Sequence, residues 1–276
     1  LNASHVVTIE NLCLLDGTLH PIQQAMVDYH GSQCGFCTPG IVMALYGAWI
    51  KGVESTDSAI KQSLQGNLCR CTGYGPIIKA AKSVSKNVSN TQDKLVQGKE
   101  AMKNNLIDLI QKEALIGSQE GALFIVPKSV DELSEVYLKY SEATIVSGGT
   151  DVGLWITKHL SIINPVIFIG NLQELRKIAI VSERIELGSC VTYSEFELIF
   201  LKYFSAAKEF LSRIAGEQIR NVGTIGGNIG NASPIGDLAP LFIGLRGTML
   251  LRKGKFRREI LIENFFIDYA QQDIDK

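Results

Sequence analysis

The chain has 276 residues and a formal net charge of −1, with 27 Lys and Arg against 28 Asp and Glu. At about 100–200 residues per domain this length predicts two domains, and the balanced charge argues against a nucleic-acid-binding protein, which needs a concentrated basic surface. No segment reaches the roughly 18 to 20 apolar residues that a membrane helix needs, so no membrane association is expected.

Residues 1–86 are predicted to form an all-α domain of four short helices. Thr38 and Pro39 are typical of a helix N-cap and first helical position, and Gly66 is typical of a helix end. The four predicted helices cover residues 21–30, 38–51, 56–65 and 75–85.

Four of the six cysteines lie within this helical domain. Cys34 and Cys37 form a C-x2-C pair before one helix, and Cys69 and Cys71 form a C-x-C pair after another, with 31 residues between the pairs. Such spacing in a chain with no visible leader favours a metal site over disulfides, and with it a reducing, cytoplasmic compartment. The spacing alone leaves two candidates open, namely a [2Fe-2S] cluster and a zinc ion, because both take four thiolates.

The residues around the cysteines carry a family resemblance. Residues 33–40, QCGFCTPG, and residues 67–74, NLCRCTGY, are similar to the second [2Fe-2S] domain of xanthine dehydrogenases, aldehyde oxidases and related molybdenum hydroxylases. The resemblance implies that Cys34, Cys37, Cys69 and Cys71 hold a [2Fe-2S] cluster close to the molybdopterin. It also implies that Gln33 contacts the pterin.

Residues 87–120 are rich in Asn, Gln, Lys and Ser and have little apolar periodicity. We expect a linker there.

Residues 121–276 alternate between strand-like and helix-like patterns, which predicts an α+β domain. Ser129 with Glu132, and Thr192 with Glu195, are spaced as capping boxes, and each predicts a helix start. Further helices are predicted at 206–215 and 238–245, and strands at 123–126, 143–146, 166–169, 177–181, 185–187, 248–251 and 257–261, the last two as a hairpin.

Two glycine-rich segments in this domain are candidate binding loops. The first, residues 145–153, follows a predicted strand, and its backbone amides would suit a phosphate. The second, residues 218–237, has glycines at 223, 226, 227, 230 and 236, with Thr224, Asn228 and Asp237 as polar groups. The residues themselves leave a nucleotide pocket and a structural glycine-rich corner both open.

Both segments resemble the FAD-binding domain of xanthine dehydrogenases and carbon monoxide dehydrogenase flavoproteins, a fold of the vanillyl-alcohol-oxidase type. Residues 265–273 are similar to bacterial xanthine dehydrogenase small subunits in particular. The resemblance implies that the first loop wraps the FAD pyrophosphate and that the second segment holds further parts of the cofactor. The implied FAD residues are Ile145, Val146, Ser147, Gly148, Gly149, Thr150, Asp151, Val152, Thr224, Gly227, Asn228 and Asp237.

The resemblance implies an electron-transfer subunit of a xanthine dehydrogenase-type oxidoreductase with no catalytic side chain of its own. A molybdopterin-binding large subunit would oxidise xanthine or hypoxanthine, and electrons would pass through the cluster and FAD to NAD. A heterodimer or a dimer of heterodimers is expected. Alternatives are the same role in an aldehyde, nicotinate or CO oxidoreductase, or a zinc-stabilised interaction domain fused to a nucleotide-binding module.

Two parts of the family pattern have no counterpart in these residues. One is the plant-type ferredoxin domain that precedes the cluster domain, and the other is the flavoprotein subdomain that follows the FAD-binding domain. The chain is therefore expected to be a fragment of a longer subunit.

Overall fold

The computed structural model describes residues 3–14, 16–87, 89–110, 114–268 and 271–274, without the side chains of 85–87. The chain divides into two units, Leu1–Gln111 with Ala215–Glu217, and Lys112–Ile214 with Gln218–Lys276. Over the described ranges, no helix has the length and apolar character needed to cross a membrane. Tyr269 and Ala270, part of the C-terminal phrase that carries the resemblance, lie outside the described residues.

The first unit is helical, as predicted. Pro21 occupies the first position of its first helix, where its missing N–H costs no hydrogen bond, and His20 caps that helix by accepting from the Ile22 N–H at 3.2 Å. The four predicted helices are present as α1 (Pro21–Asp28), α2 (Thr38–Ile50), α3 (Asp57–Ser63) and α4 (Gly75–Asn87).

The predicted N-cap of α2 is wrong by one residue. Cys37 is the N-cap and makes no side-chain capping bond, while Thr38 is the first helical residue. The Thr38 hydroxyl lies 2.6 Å from the Ser32 hydroxyl instead. The sequence pattern of Thr before Pro therefore marks the helix start correctly but assigns the capping role to the wrong side chain.

Apolar side chains from all four helices meet in one core. Ile41 of α2 and Ile77 of α4 are fully buried there, and Leu12 packs against them from a short 3-10 helix, Ile9–Leu12. Further buried members are Ile22, Met26, Val42, Leu45, Tyr46, Trp49, Ile60, Leu64, Ala80 and Val84. Because this core fixes the ends of α2, α3 and α4, it also fixes the turns that carry the cysteines.

The segment predicted as a linker contains regular structure. Helix α5 (Lys94–Asp108) begins at Asp93, whose carboxylate accepts from the Leu95 N–H at 2.8 Å, and strand β1 (Leu115–Gln119) follows. None of the residues of α5 is buried, so the sequence has no apolar stripe from which this helix could be predicted. Asn90 and Asp93 attach its start to α2, through the Trp49 carbonyl and the Tyr46 hydroxyl. The domain bounds 1–86, 87–120 and 121–276 stay predictions, and positions 88 and 111–113 lie outside the described residues.

The second unit contains a four-stranded sheet with the order β1-β2-β4-β3. Strand β1 is antiparallel to β2, whereas β2 and β3 are both parallel to β4. Ile125 and Ile167 form its fully buried centre, and helix α6 (Val130–Lys139) covers them with Leu133 and Val136. The other strands are β2 (Ala122–Val126), β3 (Thr144–Val146) and β4 (Val166–Phe168).

Both predicted capping residues start a helix. Thr192 and Glu195 form the complete box, with the Thr192 N–H donating to Glu195 at 2.8 Å. Ser129 accepts from the Glu132 N–H at 3.1 Å, but the Glu132 carboxylate accepts from the Lys128 N–H, one residue before the predicted partner. In the Ser129 box, therefore, the serine cap forms as predicted and the reciprocal bond from the N-cap N–H does not.

Most of the remaining elements contribute side chains to a second core of this unit, which contains Val191, Phe196, Leu238 and Phe265. The helix predicted at 206–215 is shorter, because a 3-10 turn, Ser205–Ala207, precedes α9. Three short helices, α7, α10 and α11, were not predicted, since α7 follows a glycine loop and α11 contains three glycines. The elements are α7 (Val152–Thr157), β5 (Ile178–Val181), β6 (Arg184–Leu187), α8 (Tyr193–Phe200), α9 (Lys208–Ser212), α10 (Glu217–Arg220), α11 (Ile225–Asn231), α12 (Leu238–Gly244), β7 (Thr248–Lys253), β8 (Phe256–Leu261), β9 (Phe266–Asp268) and β10 (Gln271–Gln272).

Candidate functional site

The four clustered cysteines come together at the turns beside α2 and α4. The Cys34 thiol interacts with the Cys71 thiol, and the Cys37 thiol interacts with the Cys69 thiol. Each contact joins one cysteine of the C-x2-C pair to one cysteine of the C-x-C pair. Cys34 and Cys71 are exposed, Cys37 is half-buried and Cys69 is buried.

The turns that present these thiols need glycine at defined places. Gly35 has φ +84° and Gly73 has φ +65°, a left-handed conformation that side chains rarely adopt. Tyr74 shares this conformation at φ 66°, and its hydroxyl accepts from the Cys69 N–H at 2.9 Å. The turn after Cys71 is thereby folded back onto Cys69.

Cys69 is surrounded by hydrogen-bond donors. The Thr72 hydroxyl lies 3.1 Å from its sulfur, and the backbone N–H groups of Thr72 and Cys71 also interact with the sulfur. The Thr72 hydroxyl and then these amides lower the pKa of Cys69 to about 7. A thiol of this acidity supplies the thiolate that iron and zinc both require.

The neighbouring thiols have different surroundings. The Phe36 N–H, followed by the contact with Cys71, lowers the pKa of Cys34, whereas burial raises the pKa of Cys37. Over the described ranges, no group of three or more His, Cys, Asp or Glu side chains has an arrangement that could hold a metal ion.

The residues fit a [2Fe-2S] cluster, which takes two thiolates on each of two irons. Four thiols meet in two pairs. The side-chain nitrogen of Asn67, two residues before Cys69, is buried without a hydrogen-bond partner in the described part of the chain, which leaves a donor beside the cysteine turn.

Gln33, the expected pterin contact, is exposed immediately before Cys34, and its role stays a prediction. Phe36 and Leu68 beside the cysteines are also exposed, at 94% and 79%.

In the second unit, the structure brings the two glycine-rich segments into direct contact. A Cβ atom added to Gly148 would lie 1.9 Å from the carbonyl oxygen of Val222 and 3.2 Å from the Cα of Gly223. The loop after β3 therefore packs backbone against backbone on the start of the second segment. Only a residue without a side chain allows this approach.

The polar groups predicted to hold FAD have mixed surroundings. Thr224 caps α11 by accepting from the Gly227 N–H at 3.2 Å, and Asp151 accepts from the Trp155 indole N–H at 2.9 Å. The side-chain oxygen of Asn228 is buried and has no partner over the described residues, and Asp237 is exposed. An unpartnered buried acceptor within the second glycine-rich segment fits a site that binds a polar cofactor.

Residues 188–193 connect the two segments, and sequence reasoning missed this role. The Ser147 hydroxyl donates to the Cys190 sulfur at 3.3 Å, which attaches the first loop. The Val191 carbonyl accepts from the Ile225 N–H at 2.9 Å and the Tyr193 N–H donates to the Gly223 carbonyl at 3.0 Å, which attaches the second. Cys190 is buried, and its position between the loops depends on tertiary contacts that no local pattern reveals.

Comparison with known families matches a domain to each part of the chain. Residues 118–276 match the family described as FAD binding domain in molybdopterin dehydrogenase, and residues 8–82 match the [2Fe-2S] binding domain. Xanthine dehydrogenase from Dictyostelium discoideum is 32% identical over 99% of this chain and 25% of that protein. Xanthine dehydrogenase 2 from Arabidopsis thaliana (98% and 25%) and aldehyde oxidase 1 from Bos taurus (97% and 24%) are each 30% identical. The chain thus spans about a quarter of the length of these relatives.

Solved structures show the same fold. Carbon monoxide dehydrogenase from Hydrogenophaga pseudoflava superposes with a TM-score of 0.52 at 24% identity, over 55% of this chain and 54% of that chain. Quinoline 2-oxidoreductase from Pseudomonas putida 86 gives a TM-score of 0.51 at 22% identity, over 54% and 53%. The predicted fold class, a helical [2Fe-2S] domain followed by an α+β FAD-binding domain, is confirmed. The chain belongs to the molybdenum hydroxylase family, in which it supplies the [2Fe-2S] binding domain and the FAD binding domain that follows it.

Proposed function

We propose that this chain transfers electrons from a molybdopterin-binding partner to NAD during the oxidation of xanthine or hypoxanthine. The observation that carries the proposal is the convergence of four thiols in one unit and of two glycine-rich segments in the other. When bound, a [2Fe-2S] cluster carries single electrons and FAD carries pairs, so together they connect a two-electron donor to a two-electron acceptor.

The role of the first unit is to hold the cluster and set its surroundings. Cys34, Cys37, Cys69 and Cys71 are the proposed ligands, with Gln33 beside the pterin of the partner. Because Cys34 and Cys71 are exposed, a cluster held by these residues would be accessible to a neighbouring redox centre. The buried Cys69 and its amide donors stabilise the negative charge of the ligands.

The role of the second unit is to hold FAD. Residues Ile145 to Val152 are proposed to wrap the pyrophosphate, because a loop at the end of a parallel strand presents backbone amides to an anion. Thr224, Gly227, Asn228 and Asp237 are proposed to bind the rest of the cofactor. No side chain of this chain is required as an acid, a base or a nucleophile.

The partner is proposed to be a molybdopterin-binding large subunit, in a heterodimer or a dimer of heterodimers. A cytoplasmic location is proposed because all six cysteines are free thiols, as a reducing compartment keeps them. The zinc alternative has less support, since the match over residues 8–82 is to a [2Fe-2S] binding domain.

An aldehyde is a second candidate substrate, because aldehyde oxidase 1 from Bos taurus and xanthine dehydrogenase 2 from Arabidopsis thaliana are equally similar to this chain at 30% identity. Anaerobic addition of xanthine or of an aldehyde to the complex with the molybdopterin-binding partner separates the two substrates, because only a substrate that is oxidised bleaches the bound flavin. Anaerobic addition of NADH tests the acceptor. Rapid bleaching of the flavin supports NAD as acceptor, and no bleaching favours an oxidase.

The cluster assignment is tested by iron analysis, acid-labile sulfide analysis and the visible spectrum of anaerobically purified protein. Cys34→Ser and Cys69→Ser should each lose iron, sulfide and the visible bands. Cys13→Ser is the matched control, because Cys13 donates to Gln23 at 3.3 Å, outside the four-cysteine group. Full iron content in Cys69→Ser would contradict the assignment.

A further inference from the structure

Thr72 lies next to the cysteine turn, and its hydroxyl has two contacts that together fix its direction. Its oxygen accepts from the Tyr74 N–H at 3.2 Å, and it lies 3.1 Å from the Cys69 sulfur. The amide occupies one lone pair of the oxygen, and a cysteine sulfur that ligates iron carries no hydrogen, so the hydroxyl hydrogen is the one that can join the two atoms. The structure therefore assigns an O–H···S hydrogen bond from Thr72 to Cys69.

The turn holds this hydroxyl in place. Gly73 and Tyr74 are both left-handed, which folds the chain back so that the Tyr74 hydroxyl accepts from the Cys69 N–H. Hydrogen bonds thus link Cys69 to Tyr74, Tyr74 to Thr72, and Thr72 back to Cys69. A hydroxyl held in this way needs little reorganisation to keep its bond when the charge on the sulfur changes.

Cys69 is also distinct among the four cysteines. It is the buried one, at 8% exposure, and over the described residues it is the one with a side-chain hydroxyl within hydrogen-bond distance of its sulfur. Hydrogen bonds to charged groups are stronger where water is excluded. The Thr72 contact is therefore placed where it has the most effect on a bound cluster.

We propose that the Thr72 hydroxyl raises the reduction potential of the [2Fe-2S] cluster through its hydrogen bond to Cys69. The inference rests on the proposed function in one respect, namely that Cys69 is a cluster ligand. When the cluster takes up one electron from a reductant, negative charge on its cysteine sulfurs increases. A donor to one of these sulfurs stabilises the reduced form more than the oxidised form. Thr72 is thus a positioning and tuning residue, and it makes no bond to the cluster.

The test is the midpoint potential of the cluster in the intact protein, measured by redox titration with detection by electron paramagnetic resonance. Thr72→Val keeps the shape of the side chain and removes the hydroxyl, so its potential should be lower. We expect about a tenfold change in the one-electron equilibrium, which corresponds to about 59 mV. Thr72→Ser keeps the hydroxyl and should restore the wild-type potential.

Thr38→Val is the matched control, because Thr38 is also adjacent to a cluster cysteine but its hydroxyl contacts Ser32. Its potential should equal that of the wild type. An unchanged potential in Thr72→Val overturns the proposal, and so does a Thr72→Ser potential as low as that of Thr72→Val.

Loss of the cluster from Thr72→Val is also decisive when Thr72→Ser is purified in parallel. Retention of iron and the wild-type potential in Thr72→Ser supports the role of the hydroxyl, whereas loss of iron from both assigns Thr72 to packing. Iron and sulfide in the wild-type protein test the proposed function separately, before any titration.

Discussion

Replacing Gly148 by Ala adds a methyl group at a backbone contact between the two glycine-rich segments. The new Cβ would lie 1.9 Å from the Val222 carbonyl oxygen and 2.7 Å from its carbonyl carbon. Gly148 does not have a positive φ, so the substitution changes the contact and not the intrinsic backbone preference. Because carbon atoms do not approach a carbonyl oxygen closer than about 3 Å, the segments must separate by about 1 Å or more.

Forced overpacking of this kind typically costs about 1–3 kcal/mol. The free energy of unfolding should fall by that amount. If the proposed FAD residues on both segments bind one cofactor, their separation should also weaken binding, by about tenfold for each 1.4 kcal/mol of lost interaction. Urea unfolding measures the first effect, and titration of apoprotein with FAD, followed by flavin fluorescence, measures the second.

Gly153→Ala is the matched control, since it lies five residues later with no atom within 4 Å of its added Cβ. It should bind FAD as the wild type does and unfold at an equal or slightly higher urea concentration, because Ala is the better helix former. Wild-type FAD affinity and wild-type stability in Gly148→Ala would refute the reasoning, because the two segments would then not be in contact.

Three further predictions concern other contacts. Gly226→Ala places its Cβ 2.5 Å from the Cβ of Ser189, so the free energy of unfolding in urea should fall by about 1–3 kcal/mol. Arg220→Ala leaves the Glu197 carboxylate without its buried cation, and the free energy of unfolding should fall by about 3 kcal/mol. Burial lowers the pKa of His20, so folding favours its neutral form, and stability should fall as the pH decreases from about 7.5 to about 5.5. Unfolding curves at both pH values measure this loss, which should be smaller in His20→Gln.

Each of these has a control in the same unit. Gly230→Ala lies in the same helix as Gly226 with open space around its Cβ, and it should not destabilise the protein. Arg213→Ala breaks an exposed pair with Glu209 and should cost less than about 1 kcal/mol. The exposed His5→Gln should keep the wild-type pH dependence. The first prediction is contradicted if Gly226→Ala and Gly230→Ala lose the same free energy of unfolding. The second is contradicted if Arg220→Ala and Arg213→Ala lose the same free energy of unfolding. The third is contradicted if the stability of His20→Gln depends on pH as that of the wild type does.

Local signals in the sequence predicted many elements because their causes are local. Pro21 begins its helix through its fixed backbone conformation, Gly66 is left-handed at φ 82° two residues after the C-cap of α3, and Thr192 with Glu195 forms its cap from residues three apart. Helix α5 was missed because its start is held by contacts from far along the chain. Asp93 accepts from the Tyr46 hydroxyl at 2.9 Å, and Asn90 donates to the Trp49 carbonyl at 3.1 Å.

The candidate site likewise has features that the local sequence predicts and features that depend on tertiary contacts. The four cysteines as a metal site, the glycines in the turns beside them, and the two segments that resemble an FAD site were all predictable from the sequence. These depend on residue type and on separations along the chain.

The tertiary structure shows which residues pair: Cys34 contacts Cys71, Cys37 contacts Cys69, and Gly148 contacts Val222. It alone placed Cys190 against the first loop. The physical reason is that these contacts join residues far apart in the chain. Their geometry is set by how whole helices and strands bury their apolar faces, which no short stretch of sequence encodes.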